Sequence, residues 1–105
     1  MTIADAGQPQ TVKSQSLVIL DGGNSYDPDD HMPLGYGWRQ TGGEVVLLSN
    51  TVISRPTFTA PAVVTQSQIL TFALVVTNTV GLVSTPAEVN IIVEPFRCLL
   101  PVVLR

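Results

Sequence analysis

The chain has 105 residues, of which 45% are hydrophobic and 12% charged, a composition that fits one folded domain and excludes a disordered chain. The net charge is −3, and the basic patch that nucleic-acid binding needs is excluded because the five cations are scattered: Lys13, Arg39, Arg55, Arg97 and Arg105. A single cysteine, Cys98, excludes an internal disulfide, and no stretch reaches the ~18 apolar residues of a membrane span.

The first part of the chain predicts two short strands. Residues 4–12 predict an edge strand that is broken at Pro9, because proline cannot donate to a central ladder. Residues 16–20 predict the second strand. Its alternate side chains form an inward pair and an outward pair, which are Val18 with Leu20 and Leu17 with Ile19.

Two turns and an aromatic strand follow. Residues 21–25 are rich in glycine and short polar side chains, and residues 27–30 form a second, acidic turn in which Pro28 fixes φ. After Pro33 the pattern has period two, which predicts a strand. One side of it is predicted to face the core: Leu34, Tyr36, Trp38 and Gln40.

The second half of the chain continues this alternation. Residues 44–49 predict a short apolar strand with Val46 and Leu48 on one side, and Phe58 is the predicted core residue of a strand between prolines. Residues 62–68 predict a loop, and residues 78–81 a turn. The two longest strands have inward sets that alternate with outward residues: Leu70, Phe72, Leu74 and Val76, then Ala87, Val89, Ile91 and Val93.

Strands about 8 to 12 residues apart with turns between them are typical of a sandwich. We therefore predict an all-β fold of two antiparallel sheets with about seven strands. The chain also resembles the PKD family of immunoglobulin-like β-sandwich domains. The resemblance is carried by Leu20-Asp21-Gly22, Ser25, Asp27-Pro28-Asp29, Pro33-Leu34, Tyr36, Trp38 and Gln40-Thr41, and continues through Phe58-Thr59-Ala60-Pro61, Leu70-Thr71-Phe72 and the turn from Val76-Thr77-Asn78 to Gly81. It departs at Gly35 and Gly37, where relatives usually carry Thr or Ser, and at Asp30, where Gly is common.

The resemblance implies a domain over residues 1–94 and a tail over residues 95–105 outside the family match. It also implies an extracellular or cell-surface location. Residues 1–7 lack the features of a secretory signal, so we expect the signal to lie upstream. The end of the tail is similar to the C-termini of some secreted bacterial proteins, which suggests that Arg105 is a natural end.

The acidic turn is the strongest candidate for a site. Asp27, Asp29 and Asp30, with Asp21 and Asn24 nearby, offer the hard oxygens that Ca²⁺ favours. The spacing excludes an EF-hand, and some PKD relatives bind calcium near this turn while others with the same residues do not. The alternative is that these acids form and cap the turn without binding metal.

Catalysis is not predicted. His31 has no second histidine or nearby cysteine as a partner and is interpreted as a solvated loop residue, and Cys98 has no histidine to activate it. A Gly-x-Ser-x-Gly elbow and a phosphate-binding glycine motif are both missing from the sequence. Tyr36 and Trp38 are interpreted as core residues rather than a sugar-binding platform, because they share the parity of Leu34.

An outward apolar set favours contact with a neighbouring domain or another copy, provided that its members share one face. The set is Leu17, Ile19, Val45, Leu47, Ala73, Val75 and Ile92. The leading hypothesis is a non-catalytic extracellular module that acts as a spacer or binds a protein or glycan, as a monomer or with weak self-association. The alternative is a calcium-stabilised accessory domain of a secreted hydrolase.

Overall fold

The computed structural model describes residues 2–29, 31–63 and 66–95, and in these residues the chain forms six strands and no helix. The strands are β1 (Gln10–Lys13), β2 (Leu17–Ile19), β3 (Gly35–Gly42), β4 (Thr57–Thr59), β5 (Gln68–Thr77) and β6 (Ala87–Glu94). Four strands form one sheet in the order β1-β6-β5-β3, and β2 and β4 form the other. The predicted all-β sandwich is confirmed, with six strands in the described residues instead of about seven. Across the same residues, nothing forms a helix long and apolar enough to cross a membrane.

Three of the four strand pairs are antiparallel, as predicted, and one is parallel. β3 pairs with β5, β5 with β6 and β2 with β4 in antiparallel register. β1 runs parallel to β6, from Gln10 opposite Ile91 to Lys13 opposite Glu94. A parallel neighbour needs a long connection. Here that connection is most of the domain, because β2, β3, β4 and β5 all lie between the two strands in sequence.

The core lies between the two sheets and contains the side chains that the alternation placed inward. Leu70, Phe72, Leu74 and Val76 on β5 are each 0% exposed. Phe58 from the smaller sheet packs against Phe72 with ring centroids 5.1 Å apart. Trp38 is 4% exposed, and its Nε1 donates a hydrogen bond to the Ile53 carbonyl at 2.9 Å. The sandwich is therefore held by apolar packing around a buried, hydrogen-bonded indole.

Close packing explains the glycine of the Leu20-Asp21-Gly22 motif. A Cβ at Gly22 would lie 2.7 Å from Leu74 Cδ2 and 3.0 Å from Trp38 Cζ2. The backbone at residue 22 therefore packs directly on the core, where a side chain would displace two core residues.

Two predicted strands are wrong in extent. Residues 44–49 form no strand, because their backbone bonds to the Gln40 side chain and not to a neighbouring strand. Gln40 Nε2 donates to Glu44 O at 2.6 Å, and Gln40 Oε1 accepts from Val46 N at 3.0 Å. In the predicted strand over residues 4–12, only the part from Gln10 onward is a strand, and Gly7 has a positive φ of 87°.

One outward residue is buried, contrary to the alternation. Ala73 on β5 is 1% exposed, although its neighbours Phe72 and Leu74 point into the core. It lies in register between Arg39 on β3 and Glu88 on β6. A single methyl group between two long side chains has little surface to expose, so burial here does not require a second core.

Candidate functional site

The acidic turn starts against the N-terminal segment. Tyr26 and Ile3 exchange backbone hydrogen bonds of 2.8 Å and 3.0 Å. Asp5 N donates to Ser25 Oγ at 2.9 Å, just before this bridge. These contacts fix the residue that precedes Asp27, and with it the direction in which the Asp27 side chain enters the domain.

The Asp27 carboxylate is buried and accepts several hydrogen bonds. Its side chain is 0% exposed. Oδ1 accepts from Asp29 N at 2.9 Å, which closes an Asx turn around Pro28. Oδ2 accepts from Asn78 Nδ2 at 2.9 Å and from His31 N at 3.3 Å, and lies 3.2 Å from His31 Nδ1. A buried charge is tolerated when it is hydrogen-bonded in this way.

Asn78 connects the acidic turn to the turn between β5 and β6. It is 5% exposed, and while its Nδ2 donates to Asp27, its Oδ1 accepts from Val80 N at 3.1 Å and Leu82 N at 2.9 Å. Thr79 N also donates to the His31 carbonyl at 3.2 Å. Two loops 51 residues apart in sequence are thus joined through one side-chain pair.

The electrostatics of this pair favour the ionised carboxylate. Burial raises the pKa of Asp27, but hydrogen bonds from Asp29 N, Asn78 Nδ2 and His31 N outweigh it and leave the pKa below its ordinary value. Asp27 is therefore a carboxylate at neutral pH. In the described part of the chain, no buried side-chain nitrogen or oxygen is left without a hydrogen-bond partner.

Three side chains that can bind metal meet at this turn. One ligand atom each from Asp27, Asp29 and His31 lies within 4.8 Å of the other two. Two of the three predicted calcium ligands are thus brought together, and the third, Asp30, lies outside the described residues. Oδ2 of Asp27 already accepts from two donors, so Ca²⁺ at that oxygen would have to displace a hydrogen bond that the turn uses. Calcium binding stays a prediction.

Asp21, which the sequence placed near the same turn, has other partners. Its Oδ1 accepts from Gly23 N at 2.9 Å and lies 3.2 Å from Arg55 Nε in an exposed ion pair. The hydrogen bond from Gly23 and the Arg55 guanidinium lower the pKa of Asp21. Asp21 serves a local turn and an exposed ion pair, a type that contributes little to stability.

The other candidate residues divide between core and surface. Trp38 is buried and Tyr36 packs against the core cluster, which confirms the core interpretation over the sugar platform. The His31 side chain is 42% exposed, as expected of a loop histidine, but it also contacts Asp27. Cys98 lies outside the described residues, as does the predicted tail beyond Pro95.

The role of Asn78 is not visible in the sequence. The pattern predicts only that Asn78 begins a turn, yet it is the buried partner of Asp27. Its position at the start of a turn gave no signal of a contact with residue 27. The family resemblance covers both residues without saying that they touch.

Comparison with known proteins places most of the chain in one family. Residues 6–93 match the family described as K319L-like, PKD domain. No curated protein matches the chain. The solution structure of the PKD domain from the KIAA 1837 protein is similar, with a TM-score of 0.68 and 28% identity over 90% of this chain and 88% of that one.

Two further solved structures share the fold at lower identity. A nucleoside hydrolase-related hypothetical protein from Saccharophagus degradans, associated with carbohydrate metabolism, matches 89% of this chain with a TM-score of 0.66 and 20% identity. A 2,6-sialyltransferase from Photobacterium sp. JT-ISH-224 matches 84% with a TM-score of 0.64 and 16% identity. The matched region spans 25% of the first protein and 17% of the second. Within those longer chains this fold forms one part.

Proposed function

Because this chain belongs to the K319L-like PKD domain family, we propose that it is a non-catalytic spacer or interaction module of a larger protein at the cell surface or secreted from the cell. PKD domains are modules generally found in larger extracellular proteins and are typically non-catalytic. The proposed partners are neighbouring domains of the same parent chain and, for an interaction module, a protein or glycan ligand. Cell-surface adhesion or the presentation of a neighbouring enzyme would be the broader role.

The observation that carries the spacer role is the position of the two ends of the described chain. Thr2 Oγ1 donates to Leu82 O at 3.1 Å, beside the start of β6. At the other end of β6, Glu94 O accepts from Ser14 N at 3.2 Å and Ser14 Oγ at 2.8 Å. Eight residues of extended strand between these ends span about 26 Å. Neighbours attached at opposite ends would be held apart by the full length of the domain.

The spacer role is tested by measuring the distance between the ends. Spin labels on Ile3→Cys and Glu94→Cys, in a Cys98→Ser background, should give a single narrow distribution near 30 Å by double electron–electron resonance, on the order of the length of β6. A broad distribution would contradict a rigid spacer. The unlabelled double-cysteine variant must keep the wild-type melting temperature, which controls for damage to the fold.

The interaction role is tested by titration of the isotope-labelled protein with soluble fragments of insoluble polysaccharide and with collagen peptides. A spacer should show no saturable chemical-shift change with any of them. A saturable change confined to one face would instead support an interaction module and identify that face.

The calcium-stabilised accessory domain remains a second candidate because Asp27, Asp29 and His31 meet within 4.8 Å. Ca²⁺ that binds only the folded state raises the melting temperature, and above Kd the rise follows the logarithm of the Ca²⁺ concentration. The candidate therefore requires a higher melting temperature in millimolar Ca²⁺, no such rise in Mg²⁺, and loss of the effect in Asp29→Ala. An unchanged melting temperature together with no heat in calorimetry would eliminate it.

A further inference from the structure

Three aliphatic side chains on the outer side of the two-stranded sheet point into solvent. We call them the leucine face: Leu17, Ile19 and Leu47. Their exposed fractions are 66%, 50% and 89%. Leu17 and Ile19 are the two outward residues of β2, on either side of buried Val18. Such a group of exposed aliphatic residues is unusual for a monomeric domain when its members are contiguous.

Strand register and a hydrogen bond make the leucine face one surface. Leu17 lies opposite Thr59 and Ile19 opposite Thr57 on β4. Ser49 N donates to Thr57 O at 2.8 Å, which holds the segment that carries Leu47 beside β4. Leu17 and Leu47 then line a shallow groove of about 440 Å³ whose floor includes Phe58.

The groove and its rim have the shape that a two-fold contact requires. In a two-fold interface the same surface of each copy must fit the other, so a projection and a recess have to lie side by side. Leu47 is the most exposed of the three residues and lines a recess in which Leu17, Leu48 and Phe58 lie beside serine and threonine side chains. Leu47 of one copy can therefore enter the groove of the other, and the reverse contact forms at the same time.

The distribution of charge also favours a second copy at this surface. The residues that line the groove carry no charge, and Arg55, which lies just before β4, is paired with Asp21 in an ion pair of 3.2 Å. Two chains of net charge −3 can approach there without placing like charges in contact. A contact between two copies through the acidic turn, where Asp27 and Asp29 lie, would bring carboxylates together instead.

From these observations we propose that the leucine face binds a second copy of this domain, with Leu47 of each copy in the groove of the other. Three residues on each side place the contact in the small class, below about 1,200 Å² in total, in which association is weak and transient. The pairing would join two parent proteins side by side through their PKD modules.

The test is sedimentation velocity on the full chain from about 10 μM to 1 mM, the range in which weak dimers form. The wild type should shift from monomer towards dimer as concentration rises. Leu47→Asp should weaken the dimer at least tenfold, since a charge would be buried against Leu17, Leu48 and Phe58 of the other copy. Leu47→Thr removes the apolar side chain without adding charge and should weaken it in the same direction.

The matched control is Val83→Asp. Val83 is 63% exposed, close to the value for Leu17, and lies at the other end of the domain beside Thr2 and Pro86. Val83→Asp changes the net charge by the same amount as Leu47→Asp and should leave the dimer unchanged. All variants must melt like the wild type.

Three results would overturn the proposal. A wild type that remains monomeric throughout the range excludes self-association at this face. Equal weakening by Val83→Asp would show that net charge, not the leucine face, controls association. Dimer formation only after removal of residues 96–105 would identify that segment as the occupant of the face in place of a second copy.

Discussion

The acidic turn and the leucine face use their side chains in opposite ways. At the acidic turn, the side chain of a charged residue, Asp27, is fully buried. On the leucine face, the aliphatic side chain of Leu47 is 89% exposed. Residue type alone would have placed these two side chains the other way round.

The difference lies in the contacts available to each side chain. Asp27 is buried because Asn78 and two backbone N–H groups replace the water it loses. Leu17 and Ile19 are exposed because β2 already directs its alternate side chain, Val18, into the core. One region therefore contributes to stability, and the other leaves apolar surface for contact with another molecule.

The largest expected effect comes from breaking the pair in the acidic turn. Asn78→Ala removes the donor to Asp27 and the acceptor for two N–H groups, so it should lower the free energy of unfolding by about 3 kcal/mol. Urea denaturation measures this. The matched control is Asn90→Ala, which loses an exposed hydrogen bond from Thr71 and should cost less than about 0.5 kcal/mol. Equal costs for the two variants would mean that the buried pair is not a stabilising contact.

A smaller loss of stability is expected from Val18 on β2, and almost none from its neighbour Leu17. Val18→Ala removes two methyl groups from a site that is 1% exposed and should lower the free energy of unfolding by about 2 kcal/mol. Leu17→Ala, one residue earlier, should change it by less than about 0.5 kcal/mol, because its side chain stays in water in the monomer. Measurement at low micromolar concentration keeps self-association out of the comparison. A large loss in Leu17→Ala alone would contradict the alternation.

The smallest expected effect is the acid sensitivity of the buried carboxylate. The pKa of Asp27 is lower in the folded chain than its ordinary value of 3.8, so its stabilising contribution is present above about pH 4 and is lost as pH falls through the folded pKa. Denaturation between about pH 5 and pH 2 should show stability falling at the acid end, with a shallower slope in Asp27→Asn. Asp21→Asn measures how much of the acid sensitivity comes from the exposed ion pair with Arg55. An unchanged slope in Asp27→Asn would assign the acid sensitivity to other carboxylates.

Much of the fold followed from local pattern. Period two placed Leu70, Phe72, Leu74 and Val76 in the core, and all four are fully buried. Residues 44–49 contain a continuous apolar run but form no strand, and hydrogen bonds with the Gln40 side chain hold them instead. Alternation describes which side chains face the same way, and it says nothing of whether a partner strand is present.

The candidate site was only partly predictable for a related reason. The cluster of Asp27 and Asp29 was visible because the two residues are adjacent in sequence to the same proline. The role of Asn78 depends on a contact across 51 residues, which leaves no local signature.

The sequence by itself determined the family, the all-β class and the face on which each strand residue lies, because turn chemistry and side-chain parity act over a few neighbouring residues. Only the tertiary structure decided that β1 runs parallel to β6, that Asp27 is buried against Asn78 and that Leu17 and Leu47 share one groove. Those features depend on which distant segments meet, and the free energy of such contacts belongs to the pair and not to either segment alone.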